Sequence, residues 1–336
     1  MRGYAVPRMP QPVISVRDLV KTYGKVEAVR GIDLEVRSGE IFGFLGPNGA
    51  GKSTTISILC TLIRPTSGVA QVAGIDVLKD PSAVRARIGL VFQDPSLDGQ
   101  LTGRENLDFH AYLYGLPAST RKQRIDDALS IVELTDRADS TVLTYSGGMR
   151  RRLEIARGIL HYPQVLFLDE PTLGLDPQTR NKIWDYLHAV RTREHITIFM
   201  TTHYMDEAEF CDRIAIIDQG KIVALGTPSE LKTKVGGDVV TITTPDTAVA
   251  SEEIRRVMQL EATQVDGTLL VEVPDSASFM PRLFSELSVP ITAVSARRPS
   301  LDDVFLKLTG RAIREQGNTS LDTMRNMGRI WGAGRR

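Results

Sequence analysis

Apolar and polar residues alternate over residues 13–20 (VISVRDLV) and again over 32–36 (IDLEV), the period of a half-buried β-strand. Gly24, in the stretch KTYGKVEAVRG between them, predicts a turn. The pattern then changes from alternating to continuous. EIFGFLG is a short apolar run entering a glycine-rich loop, and STTISILCTLI after it has helical spacing as far as Arg64-Pro65. VAQVAGIDV predicts a second glycine-punctuated hairpin, and RIGLVF another short strand. From about Asp94 to Gln164 helical periodicity takes over, in RENLDFHAYLYGL, STRKQRIDDALSIVEL and GGMRRRLEIARGILHY. This reads as a helical insert between two strands of an α/β core. VLFLDE then predicts a strand, TRNKIWDYLHAVR a helix, ITIFMTT a strand, Tyr204 to Phe210 a short helix and DRIAIIDQGKIVALG a hairpin. Strands alternating with helices imply a largely parallel central sheet.

Near Val235-Gly236-Gly237 the pattern restarts. VVTITT, SEEIRRVMQL, EATQV, TLLVEV, SASFMPRLFSEL and ITAVSA follow in the order βαββαβ, closed by a helix LDDVFLKLT. That order fits a split-βαβ, ferredoxin-like α+β unit. The expected organisation is an N-terminal tail at 1–12, an α/β domain at 13–235 with its helical subdomain at about 94–164, an accessory domain at 238–310 and a basic tail at 311–336.

Composition narrows the function. The 336 residues are 42% hydrophobic and 24% charged, as in soluble globular domains rather than disordered or disulfide-built chains. No apolar run approaches the roughly 18 residues of a membrane span, and MRGYAVPRMPQP lacks the apolar segment of a secretory signal. Cys60 and Cys211 lie far apart without metal-type spacing and read as free thiols. Lys plus Arg and Asp plus Glu both number 41, a balance that argues against a dedicated nucleic-acid binder. Residues 311–336 hold six arginines against two acids, a local charge of +4. Such a tail can touch anionic lipid or an acidic partner, or simply be a solvated terminus.

Three segments carry chemistry. Gly46-Pro47-Asn48-Gly49-Ala50-Gly51-Lys52-Ser53 matches G-x-x-x-x-G-K-[ST] between an apolar strand and a helix. Its glycines let backbone N–H groups turn toward phosphate oxygens, and the helix N-terminus adds the positive end of its dipole. Lys52 can reach the β- and γ-phosphates, Ser53 can ligate Mg2+, and Thr54 is placed to bond a phosphate oxygen. VLFLDE ends in two acids: Asp169 can hold Mg2+, and Glu170 can orient or deprotonate an attacking water. Alone, such a pair is an ordinary solvated strand end; paired with the P-loop it carries meaning. Ser146-Gly147-Gly148 opens a helix and presents a hydroxyl and free N–H groups to an anion, although a lone SGG caps helices in many proteins.

The order P-loop, Thr144-Tyr145-Ser146-Gly147-Gly148-Met149, VLFLDE resembles the ATP-binding-cassette (ABC) ATPases, whose signature reads close to LSGGQ. The resemblance covers about residues 13–235 and implies the P-loop NTPase fold with an ABC-type helical subdomain. It assigns Tyr23 to adenine stacking, Gln93 in VFQDP to Mg2+ and the attacking water, Gly174-Leu175-Asp176-Pro177 to the nucleotide-facing D-loop and His203 to the γ-phosphate. Singly these read as an edge-strand aromatic, a surface amide and a capped helix start. Tyr145 and Met149 depart from the common Leu and Gln, and Met149 cannot hydrogen-bond a ribose as Gln could. YSGGM with RRRLEIAR, and PSLDDVFLKLTGR at Pro299–Arg311, resemble the daunorubicin-resistance branch.

Membership would imply an ATPase with Mg2+, working as a head-to-tail homodimer with two ATP molecules between its copies. It would sit on the cytoplasmic face of a membrane, on a separate integral-membrane permease. Related members serve antibiotic, sodium or polysaccharide export. Leu97, Leu101, Leu107 and Tyr112 are candidates for permease contact, or equally for the insert's own core. A soluble ribosome-acting ABC ATPase usually has two cassettes and a charged linker. Chromosome-structure ATPases need long coiled coils between P-loop and signature. An importer ATPase would carry an all-β regulatory domain where this chain reads βαββαβ.

Overall fold

The computed structural model describes residues 12–94, 96–233, 236–265 and 267–310. Residues 1–11 of the tail expected at 1–12, the tail at 311–336, and Val235 at the expected change of domain lie outside the described residues; Pro12 already begins a strand.

Six strands form the central sheet, in the order Lys221–Gly226, Arg213–Asp218, Ile41–Leu45, Thr197–Thr202, Val165–Asp169, Ile88–Val91. All neighbours run parallel except the first pair, the expected hairpin. IFGFL, VLFLD and TIFMTT are buried along their whole length. This is why they read as continuous apolar runs: both faces of a parallel sheet are covered. Phe199 stacks at 5.6 Å on Phe42 and lies 5.5 Å from Phe167, locking three neighbouring strands together. Register then sets Leu45 beside Thr202 and Asp169 beside Thr201, so three strands deliver their following loops to one edge. Ligands of open α/β sheets bind at this carboxyl edge.

The alternating strands form a separate antiparallel sheet, in the order Val26–Arg37, Pro12–Tyr23, Ser67–Val72, Ile75–Asp76. Ile14, Val16, Leu34 and Val36 pack from it onto Phe42, Phe44, Ile56 and Ile58 of the α/β core. The helix after the P-loop spans Lys52–Leu59 and stops short of Ile63, because Thr61 turns into the left-handed region at φ 62°. Two helices had no periodic signal: Pro81–Arg85, capped by Asp80, and Pro228–Thr233.

The insert holds helices Gly103–Leu113, Ala118–Ile131 and Gly147–Ile159, between strands that pair directly. Leu107, Ala111, Ile125, Leu129, Leu153 and Ile155 fill its core. Leu107 is therefore a core residue and not a docking one; it shares a helix face with Ala111, four residues on. Leu97 and Leu101 are partly buried, whereas Tyr112 is 68% exposed beside exposed Phe109 and Leu113.

The last unit is a four-stranded antiparallel sheet, in the order Ala262–Val265, Thr268–Val273, Asp238–Thr243, Ala293–Arg297. Its helices Thr247–Met258 and Ser276–Glu286 bury Ile254, Phe279 and Leu283 against Val240, Ile242 and Val271. The final helix, Leu301–Thr309, joins the larger core instead: Leu301, Val304 and Phe305 cluster with Met205, Ala208 and Leu231. No described helix is long and apolar enough to cross a membrane.

His110 sits partly buried on helix Gly103–Leu113, where burial and then the charge of Arg157 lower its pKa to about 4. The unfolded imidazole titrates near 6.5, so on acidification the unfolded chain takes up this proton first. Stability contributed at this site is complete above about pH 6.5, falls as pH drops toward about 4, and levels below that. Replacing His110→Phe should flatten this limb. Urea midpoints of both chains at pH 7 and pH 4.5 check it, and an unchanged pH dependence would rule it out.

Candidate functional site

Strand Ile41–Leu45 ends at Gly46, and the chain reaches helix Lys52–Leu59 only after a loop too tight for side chains at its two ends. A Cβ on Gly46 would lie 2.3 Å from Ile217 O, and one on Gly51, at φ 111°, 2.5 Å from Ala28 O. Gly51 is also the helix N-cap and offers no side-chain acceptor to the first-turn N–H groups. Asn48, Gly49 and Ser53 are exposed, Pro47 and Thr54 partly so, and Ala50 is buried.

Lys52 crosses under this loop with 4% exposure. Its Nζ donates to Gly46 O at 2.8 Å and Pro47 O at 3.2 Å, and lies 3.3 Å from Glu170 Oε1. Burial lowers the lysine's pKa, against the pull of Glu170 and Asp169. Glu170 follows strand Val165–Asp169 with φ 46°, a left-handed conformation uncommon for a side chain of its size. That turn aims its carboxylate at two nitrogen-bearing side chains: Oε1 is 3.3 Å from Lys52 Nζ and 3.3 Å from His203 Nδ1. Burial pushes the Glu170 pKa up, but His203 and Lys52 outweigh it and hold the carboxyl below its ordinary range. The His203 contact is an ion-pair distance without hydrogen-bond geometry, so its strength depends on the imidazole's charge.

Asp169 is buried one residue earlier. Its Oδ1 accepts from Thr201 Oγ1 and from Ser53 Oγ at 3.4 Å. Thr201 Oγ1 in turn accepts from Glu170 N at 3.0 Å, so one hydroxyl on the neighbouring strand holds both acids. Lys52, Ser53, Asp169, Glu170 and His203 thus share one corner, assembled from three strand ends.

The other expected residues lie on other elements. Tyr23 is exposed at a strand end, with Lys21 Nζ 4.9 Å from its ring centre. Gln93 is exposed just beyond Ile88–Val91. Ser146 caps helix Gly147–Ile159 by accepting from Met149 N at 3.2 Å, and a Cβ on Gly148 would meet Thr179 Cγ2 at 2.4 Å. Asp176 caps helix Pro177–Glu194 through Thr179 N at 3.0 Å, and Thr179 also holds its carboxyl pKa low. Among the described residues, no hydrogen bond or ion pair joins Tyr23, Gln93, Ser146 or Asp176 to the Lys52–Glu170 corner of the same chain. Tyr145 is a core residue of the insert: its ring is buried and its OH donates to Arg137 O at 2.6 Å. Met149 packs partly buried on the same cluster.

Sequence reading passed over Thr201, Arg151 and Glu207. Glu207 is buried three residues from Tyr204 and accepts from Thr172 Oγ1 and, at 2.7 Å, from Thr202 Oγ1; burial raises its pKa. Hydroxyls closing an apolar strand, as in ITIFMTT, were the available signal for Thr201 and Thr202.

Residues 29–173 match the ABC transporter family, and residues 226–309 match the family described as ATP-binding protein DrrA1-3-like, C-terminal domain. Over 323 residues the chain is 41% identical to the daunorubicin resistance ATP-binding protein DrrA2 of Streptomyces coeruleorubidus, spanning 92% of this chain and 96% of that protein. It is 43% identical over 310 residues to the daunorubicin/doxorubicin resistance ATP-binding protein DrrA of Streptomyces peucetius, spanning 90% and 93%. Among solved structures, the dimeric post-hydrolysis state of the ATP-binding cassette MJ0796 bound to ADP and Pi matches with TM-score 0.58 at 28% identity, over 64% of this chain and 98% of that one.

Tyr145→Phe removes the only bond given to the Arg137 carbonyl by this side chain and leaves the ring packing intact. Arg137 O keeps Ser140 N as a donor at 3.0 Å, so the change should cost about 0.5–1.5 kcal/mol, the net worth of one intramolecular hydrogen bond. Chemical denaturation of both chains checks this, and an unchanged midpoint would show that the tyrosine hydroxyl adds nothing to the bond from Ser140 N.

Proposed function

The chain belongs to the ABC transporter ATP-binding subunits, in the branch of the daunorubicin-resistance ATPases, and on that footing we propose that its hydrolysis of ATP powers export of a drug-like or other hydrophobic compound through a separate membrane permease. The observation that carries the reading is the position of Glu170 Oε1, 3.3 Å from both Lys52 Nζ and His203 Nδ1.

The phosphates of ATP offer Lys52 charged acceptors in place of the neutral Gly46 and Pro47 carbonyls it now contacts. Backbone N–H groups between Asn48 and Gly51 cradle them, with Thr54 beside, and Tyr23 stacks the adenine. Once Lys52 turns to phosphate, Glu170 is free to accept a proton from, or orient, a water at the γ-phosphate. Before ATP binds, His203 and Lys52 hold this carboxyl below its ordinary range, so it meets the nucleotide ionised. His203 donates to the same phosphate. Ser53 Oγ and Asp169 Oδ1 are oxygen donors 3.4 Å apart, the chemistry a hard divalent cation takes together with phosphate and water. Those two and Gln93 would hold Mg2+, which supplies charge neutralisation on the β- and γ-phosphates.

Ser146 and Gly147 are exposed and Gly148 partly so, at a helix N-terminus that shares no hydrogen bond with this chain's own P-loop among the described residues. In a head-to-tail homodimer they reach the γ-phosphate of the partner copy, with the Asp176 loop alongside. Hydrolysis then replaces one bridging anion by two that repel, and the pair opens. Residues 13–235 form the ATPase cassette. Residues 238–310 form an accessory unit for dimer or permease contact. Exposed Phe109, Tyr112 and Leu113 on the insert give the permease an apolar landing site. The chain is peripheral, on the cytoplasmic side, through that partner.

Glu170→Gln should keep ATP binding, reduce hydrolysis by about 10²–10⁴-fold, and trap an ATP-dependent dimer on gel filtration. Tagged and held with ATP, the variant should recover a multi-span membrane protein from detergent-extracted host membranes. Recovery of ribosomes, or of soluble chains alone, would sink the exporter reading.

A further inference from the structure

Arg150-Arg151-Arg152 reads in sequence as a solvated basic run, yet Arg151 is buried. All five N–H groups of its guanidinium have acceptors. Nε donates to Pro171 O at 2.6 Å, and Nη2 to Asp169 O and Glu170 O, each at 3.2 Å. Nη1 donates to Phe92 O at 2.6 Å and to Glu154 Oε2 at 2.9 Å. Three consecutive carbonyls, at 169, 170 and 171, therefore converge on one cation. An extended chain cannot do this, since successive carbonyls point opposite ways. The left-handed turn at Glu170 brings them together.

Glu154 and Arg157 continue along the same helix face at spacing three. The second oxygen of Glu154 accepts from Ser96 N at 2.9 Å. Arg157 donates to Ser96 Oγ and, at 3.3 Å, to Leu90 O. Gln93 thus lies between two anchored flanks, Phe92 on Arg151 and Ser96 on Glu154 and Arg157. The helix that opens with Ser146 grips, from behind, both the acid-bearing turn and the glutamine-bearing loop.

We propose that Arg151 is a positioning residue for ATP hydrolysis: it fixes the 169–171 backbone so that the Glu170 carboxylate meets the γ-phosphate side, and with Glu154 it ties that turn to the loop carrying Gln93. This rests on the role given to Glu170 above. Arg151 touches no substrate in this scheme, so its removal acts on the chemical step and spares nucleotide affinity, which the P-loop supplies. A lysine keeps the charge but has neither the fork nor the five fixed donors. Glu154→Gln keeps the volume of the clamp but can accept only one of its two bonds, and its NH2 then faces a donor, either Arg151 Nη1 or Ser96 N.

Full-length wild type, Arg151→Lys and Glu154→Gln are compared for kcat, KM and Kd for ATP, and thermal melting. Arg151→Lys should lose about a hundredfold in kcat, the scale of a misplaced reacting group, with Kd for ATP within about threefold and a cooperative melt. Glu154→Gln should lose about tenfold in kcat with the same unchanged Kd. A folded Arg151→Lys chain with wild-type kcat would overturn the proposal. So would a parallel loss of kcat, ATP affinity and cooperative melting in both variants, which marks a merely structural ion pair. A Glu170→Gln chain that hydrolyses ATP at the wild-type rate would instead overturn the role of Glu170.

Discussion

A lysine ammonium held almost entirely out of water is the constraint around which this molecule is arranged. Such a charge is stable only with close acceptors and a counter-ion. Lys52 finds the acceptors in its own loop and the counter-ion on a strand more than a hundred residues further on. For that carboxylate to arrive, Val165–Asp169 must end level with Ile41–Leu45, with Thr197–Thr202 between them in parallel register. The phenylalanines that lock these strands together therefore do more than fill the core. They hold the ends of three strands at a spacing that a buried cation can bridge.

Most of that frame was legible in the sequence, for a physical reason. Strands buried on both faces must be apolar throughout, so IFGFL, VLFLD and TIFMTT declared themselves, and the phosphate loop between strand and helix did so through its glycines. What was not legible depends on partners distant in sequence. Nothing local says that 13–20 and 32–36 leave the central sheet for one of their own. Pro81–Arg85 and Pro228–Thr233 are too short to show a period. Leu107 and Tyr112 have similar apolar character and opposite fates, decided by which helix face meets Ala128 and Leu129. Thr201 earns its place only through pairing with strand Val165–Asp169.

Arg151 shows the same limit from the polar side. In a run of three arginines no local rule distinguishes the one that goes inside. Its neighbours Arg150 and Arg152 stay nearer the surface, on Leu143 O and on Val132 O and Tyr186 OH respectively. Burying Arg151, Glu154 and Arg157 costs desolvation that an apolar helix face would avoid. The return is a single helix whose rear face joins loops that have no sequence proximity, while its front end stays open. Tyr145, two residues before that helix, is anchored on Arg137 O.

The final helix has a consequence for biosynthesis. Leu301, Val304 and Phe305 cover apolar surface at Met205, Ala208 and Leu231. On a ribosome adding about 5–20 residues per second, they follow Leu231 by roughly 4 to 14 s. The larger domain can collapse in far less time than that. For those seconds it carries an uncovered apolar strip, a surface of the kind chaperones bind. Timing of translation thus becomes part of how this chain reaches a closed core.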